Sequence, residues 1–286
     1  MGGVISTGIK IVSTVGGAIV DTFESTAGWF FSGVGAIVEL VLSIPVVGAV
    51  LKYARNIFHT FVWGASSFLD IGFGVFGFFP EKRMRIAVII QRDEEGVLVA
   101  DRNEVLATIQ KTIDVLKVEA NVRVLPVGPF KYSSPFQAKP KASRDYIFEE
   151  LNPSDADTLV VDCGYPDFVN DSSRLGGFKF NMKLSSILFF SNGRRMIGYG
   201  TPMAAFAVRE FLDADGAGCS LGPLTDYVTV KFSKDNTRIL AHELGHACNL
   251  WHTSDDTNLM SPAGPGTKLR RDQKILFRTS RHVTFF

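Results

Sequence analysis

His242, Glu243, His246 and His252 fall within the eleven residues HELGHACNLWH, a set able to hold a divalent metal with a carboxylate beside it. On a helix, His242 and His246 lie one turn apart on the same face, so both imidazoles can reach one ion while Glu243 points beside it toward bound water. A catalytic zinc takes three protein ligands and keeps a fourth position for water. His252, six residues beyond His246, cannot join them from the same helix and has to arrive by a turn. An ion held this way lowers the pKa of its water and polarises a carbonyl, and the carboxylate moves the water proton to the leaving amine. Such hydrolysis needs no nucleophilic side chain. None is suggested elsewhere, because Cys163, Cys219 and Cys248 form no CxxC pair and the chain has neither GxSxG nor a phosphate-binding glycine loop.

Asn249 stands where the turn toward His252 must fall, and asparagine is the best residue after glycine for the left-handed conformation that stops a helix. With Asn249 in the place of the usual glycine, HExxHxxNxxH resembles the metzincin superfamily of zinc peptidases. That resemblance implies zinc as the cofactor and Glu243 as general base. It also implies that Met260, in DTNLMSP eight residues past His252, belongs to the methionine turn beneath the metal. The tyrosine that follows this methionine in some metzincins is absent, since Met260 precedes SPAGPG. The other large HExxH clan takes its third ligand from a downstream glutamate, and no glutamate follows Glu243. Asp255 and Asp256 stay open as substitutes for His252, though they miss the expected offset. Cys219 and Cys248 are near enough in the order of elements to pair if the domain is exported, and a reduced compartment fits equally well.

The elements that would carry these residues alternate between strand and helix after Pro80. Met84 to Gln91 reads as a strand, and Asn103 to Val118 as a helix with Leu106, Ile109, Ile113 and Leu116 on one face. Val122 to Val127, Thr158 to Asp162, Ser186 to Phe190 and Asp226 to Phe232 read as further strands. The metal-binding helix is expected from Asn236 to Cys248 and a last helix from Thr267 to Arg281. The six basic residues of that last helix read as a solvated face, or as a contact for anionic lipid. A peptide substrate would add as a strand along an exposed sheet edge, and Arg194 to Thr201 is a candidate for it. The expected fold class is therefore α+β, a metzincin-like domain over residues 80–286 with a twisted mixed sheet, an edge strand, an active-site helix and a C-terminal helix.

Residues 1–79 differ sharply in composition, forming a second, apolar helical region. They hold seven charged residues against 52 in the remaining 207, with 13 of the 27 glycines and ten of the 24 phenylalanines. Ala27 to Leu51 and Asn56 to Phe79 are each long enough to cross a bilayer as a transmembrane helix, with Glu39 and Asp70 as their acidic residues. A carboxylate in such a span faces protein or water, which suggests helix packing or a homo-oligomer. Basic residues lie at both ends, so the side of the membrane is not fixed. The net charge of +1 gives no reason to expect nucleic acid.

These features together lead to a membrane-associated zinc endopeptidase, its partners a peptide or protein substrate and a lipid bilayer met through residues 1–79. The alternative is a membrane-inserting or pore-forming toxin in which the peptidase is accessory.

Overall fold

A computed structural model describes residues 63–126, 141–149, 159–161, 202–212, 216–220, 222 and 227–285. They form a mixed α/β fold, with a mixed sheet and four helices. Helix α1 spans residues 63–75 and leads into strand β1, Lys82–Ile90. Then come α2 (Arg102–Ala120), β2 (Val122–Pro126) and the short strands β3 (Ile147–Glu149) and β4 (Val160–Val161). Next are β5 (Met203–Ala207), β6 (Glu210–Phe211), β7 (Gly218–Cys219) and β8 (Tyr227–Val230). Helices α3 (Ile239–Ala247) and α4 (Arg271–Arg278) and strand β9 (Val283–Thr284) complete the order.

The main sheet runs β2-β1-β5-β8-β7, with β3 and β9 also pairing with β1. β1, β2, β5 and β8 are parallel, whereas β7 is antiparallel to β8 and is the last of the described strands on that side. A sheet covered on both faces calls for apolar residues at consecutive positions rather than alternating ones. β1 meets this with Met84, Ile86, Val88 and Ile90 in the main core and Ala87 and Ile89 against Phe206 and Tyr227 on the other face. The pair β4 and β6 forms a separate two-stranded sheet, so the strand expected at Thr158 to Asp162 lies outside the main one.

α2 begins at Asp101, whose carboxylate accepts from the backbone amides of Asn103 and Glu104, and ends at Asn121 in the left-handed region with φ 48°. Its buried face is centred on Val105, Ile109, Ile113 and Leu116, one position away from the expected Leu106. That face packs on β2 and α3, and so sets the helix that carries His242 and His246 against the sheet.

α1 is not a free-standing apolar span. Its buried positions are Ser66, Asp70 and Gly74, four residues apart, which is the repeat of one helix face. Asp70 lies between Lys82 and Arg278, both fully buried, and the Arg278 Nε donates to its Oδ1 at 3.0 Å. The same guanidinium donates to the carbonyls of Ala120 at 2.8 Å and Pro80 at 2.6 Å, while Lys82 Nζ donates to Ser66 Oγ at 3.3 Å and the Arg278 carbonyl at 2.8 Å. Arg271 donates to the carbonyls of Gly74 and Val75, and a side chain at Gly74 would strike Ile275. The basic run of the last helix therefore includes residues that clamp α1, which corrects the reading of that run as a solvated face. Lys268 and Lys274 meet Glu119, and Arg270 meets Asp272.

Among the described residues no helix is long and apolar enough to cross a membrane. The span expected from Asn56 to Phe79 stops being helical after residue 75 and turns at Gly77, with φ +75°. Ala27 to Leu51, Ser186 to Phe190 and Arg194 to Thr201 lie outside the described residues.

Candidate metal centre

α3 carries His242 and His246 on one face, and the chain leaves the helix through Asn249 at φ 68°. The left-handed residue reverses the chain so that the Leu250 amide donates to the Gly245 carbonyl at 2.9 Å and His252 swings back toward the helix. The three Nε2 atoms then converge. His242 to His246 is 3.2 Å, His242 to His252 is 3.3 Å and His246 to His252 is 3.0 Å.

The protons on these rings follow from their outer partners. His242 Nδ1 lies 2.8 Å from the Leu259 carbonyl and His246 Nδ1 lies 2.8 Å from the Leu250 carbonyl. A carbonyl only accepts, so each Nδ1 carries the hydrogen and each Nε2 presents a lone pair to the common centre. Burial holds His242 down at about 4 and lowers His246 as well, so both rings are neutral near pH 7. Lone pairs facing one another at 3.0–3.3 Å repel unless a cation sits among them. Tetrahedral ligands about 2.0–2.1 Å from zinc are separated by about 3.3 Å, so the triad fits such an ion. His242, His246 and His252 could hold a metal ion, and the arrangement alone does not name the metal.

Glu243, the residue after His242 on α3, is almost fully buried. Burial pushes its carboxyl up to about 8, against a downward pull from the Arg238 guanidinium. The side chain lies under β7. A Cβ built at Gly218 would stand 2.5 Å from Glu243 Oε1. The absence of a side chain at Gly218 is what lets β7 close over this carboxylate.

Met260 is fully buried beneath α3. A Cβ at Gly245, the middle residue of HELGH, would meet the Met260 Sδ at 2.5 Å, so this glycine makes the close contact possible. The Met260 amide donates to Asn258 Oδ1 at 2.9 Å, its carbonyl accepts from the Thr253 amide at 3.1 Å, and Asn258 Nδ2 donates to Gln273 Oε1 at 2.7 Å. The segment around Met260 is thus tied to the His252 loop on one side and to α4 on the other.

Arg238 is a residue the motif did not announce. It immediately precedes α3 and donates to the Leu259 carbonyl at 2.7 Å and the Ser261 carbonyl at 2.8 Å, with its Nη1 3.3 Å from His242 Nδ1. Arg238 and His242 share the Leu259 oxygen, which fixes the His242 ring and the Leu259–Ser261 segment together. Its position four residues before His242 was the available signal, since that spacing places both on one helix face.

Asp255 and Asp256 do not join the triad. Asp255 accepts from the Thr257 amide and hydroxyl at 2.9 and 2.7 Å, and Asp256 accepts from Ser261 Oγ at 3.2 Å, so both shape the loop. Cys219 is disulfide-bonded and Cys248 is a free, buried thiol, so these two do not pair with each other. Burial pushes the Cys248 thiol up to about 12, which suits a packing role rather than a reactive one. No family model matches the chain, and no curated protein matches it.

Proposed function

We propose that this chain is a zinc-dependent endopeptidase of metzincin type, held at a membrane through its N-terminal region. The observation that carries the reading is the convergence of three imidazole Nε2 lone pairs with the buried Glu243 carboxyl one residue from the first ligand. Three imidazoles at tetrahedral spacing suit zinc better than magnesium or calcium, which take oxygen ligands. Bound zinc would supply Lewis acidity and an activated water.

The chain's own residues provide the rest. His242 and His246 hold their lone pairs inward through the Leu259 and Leu250 carbonyls, and Glu243, one residue from His242, is the carboxyl that would take the water proton and pass it on. β7, the last of the described strands on that side of the sheet, lies against Glu243, and a peptide substrate would add as a strand on this side. A mixed sheet with one antiparallel strand beside the metal-binding helix, and Met260 beneath it, also supports the metzincin reading.

The test is metal analysis of the full chain with cleavage of an unstructured protein such as casein. Wild-type chain should hold close to one zinc and cleave, while Glu243→Gln should keep the zinc and lose cleavage. Cleavage that survives His242→Ala or His246→Ala would defeat the proposal. Vesicle leakage that persists in Glu243→Gln would shift the assignment to a membrane-acting protein in which the peptidase is accessory.

A further inference from the structure

α1 is amphipathic in the reverse sense of a helix on a soluble protein. Its polar and small residues, Ser66, Asp70 and Gly74, face the domain, and its apolar residues face outward. Phe68 is 77 % exposed, Ile71 49 %, Val75 61 % and Phe76 76 %. Spacings of three and four residues place Phe68, Ile71 and Val75 on a single stripe, and Phe76 follows directly at the end of the helix. Residues 63–79 contain one charged side chain, Asp70, and it is turned inward, so the outer face carries no charge. A contiguous apolar face of this kind marks a contact with lipid or protein.

We infer that the outward face of α1 lies in the surface of a lipid bilayer, as an interfacial helix parallel to the membrane rather than a span through it. This deepens the membrane attachment proposed above and is independent of the hydrolytic reading. Three observations favour a bilayer over other occupants. The 62 residues that lead directly into α1 contain only six charged side chains, so the helix continues an apolar stretch of chain. At the C-terminal end of the helix stands the exposed guanidinium of Arg271, which donates to the Gly74 and Val75 carbonyls, where it can meet anionic headgroups. At the other end Trp63 has its indole N–H engaged with the Thr279 carbonyl and its ring partly exposed, the kind of side chain that favours the interface. The buried contacts of Asp70 prevent α1 from turning its polar face outward, so the orientation of the apolar stripe is fixed by the domain.

The experiment places an environment-sensitive fluorophore at Gly72→Cys in the full chain. A Cβ at Gly72 meets nothing within 4 Å, so the change leaves the packing of α1 intact. The control carries the same probe at Val118→Cys, an exposed position on α2. Vesicles contain equal parts phosphatidylcholine and phosphatidylserine, with and without nitroxide-labelled acyl chains. The proposal expects the Gly72 probe to shift to the blue on adding vesicles and to be quenched by the nitroxide lipids, while the Val118 probe does neither. Phe68→Ser with Phe76→Ser should weaken vesicle binding on the order of tenfold or more.

A Gly72 probe already shielded without vesicles and unmoved by them would show that residues 1–62 cover the face, and would overturn the inference. Shielding that depends on protein concentration alone would assign the face to a second copy and overturn it likewise. Vesicle binding with a silent Gly72 probe would leave the attachment to residues 1–62 and remove only the role given to α1. Equal responses at Gly72 and Val118 would overturn it as non-specific adsorption. Because no arm reads cleavage, failure here is separable from failure of the peptidase reading.

Discussion

Replacing Asp70 by alanine should destabilise the fold that carries the histidine triad although the residue lies in the apolar N-terminal region. In the folded chain Asp70 is the anion between two fully buried cations, Lys82 and Arg278. Removing one partner from a buried ionic group leaves charge uncompensated and costs about 3–5 kcal/mol. At about 2–4 °C per kcal/mol for a domain of this size, the midpoint of thermal unfolding should fall by roughly 6–20 °C. The loss has a defined pH dependence. Burial is the main cause that lowers Lys82 from 10.5 to about 8, and Asp70 pulls it back up, so the variant lysine lies below 8. In the window between the lowered folded value and 10.5 the unfolded state binds the extra proton, and stability from this group rises with pH. Arg278 stays charged throughout. The penalty of Asp70→Ala should therefore be largest on the acid side and shrink as pH rises toward 8. Chemical denaturation of both proteins at several pH values measures this, and Asp70→Leu with Lys82→Met should recover much of the loss by removing the pair together. A penalty under about 1 kcal/mol, the size of a surface ion pair, would refute the account.

Four further outcomes follow from the site. Gly218→Ala puts a Cβ against the Glu243 carboxylate, and should reduce cleavage at least tenfold while zinc content by elemental analysis stays unchanged. Asn249→Ala loses a side chain suited to φ 68° and should cost about 1–2 kcal/mol in denaturation, with weaker zinc retention against a chelator, whereas Asn249→Gly keeps both. Arg238→Leu frees the Leu259 and Ser261 carbonyls and should weaken zinc binding about 10–100-fold in chelator competition, with partial rescue in Arg238→Lys. Zinc should raise the unfolding temperature of the wild type but not of His252→Ala; an equal rise in both would remove His252 from the site.

The triad was legible because its geometry is local. Helical spacing fixes His242 and His246, and one backbone reversal at Asn249 decides where His252 goes. The ends of β1, α2, β2 and β8 fell close to expectation for the same reason, being periodic runs bounded by turns or caps. β7 was not legible. It is two residues long, and what matters about Gly218 is the carboxylate it admits from a helix more than 20 residues later. β5, an alanine-rich strand paired with β1 and β8, was also missed because its small residues carry little strand preference and are selected by packing. Arg278 was read as surface because helix periodicity cannot reveal that another helix will dock on its basic side. Asp70 was read as a cost within a membrane span, and its compensation lies 12 and 208 residues away.

α4 gives the molecule a fixed gauge. Gln273, in its first turn, holds Asn258 beneath the triad, and Arg278, at its last residue, holds Asp70 of the helix with the outward apolar stripe. Those two attachments are five residues apart, about 7.5 Å along a helix axis. So short a strut cannot fold or lengthen, and a pull on the N-terminal segment reaches the floor of the site with little slack. If α1 rests on a membrane, the histidine triad stands at a constant height and tilt above it. Selection of substrates would then depend on how far a cleavable segment stands from the bilayer as well as on its sequence.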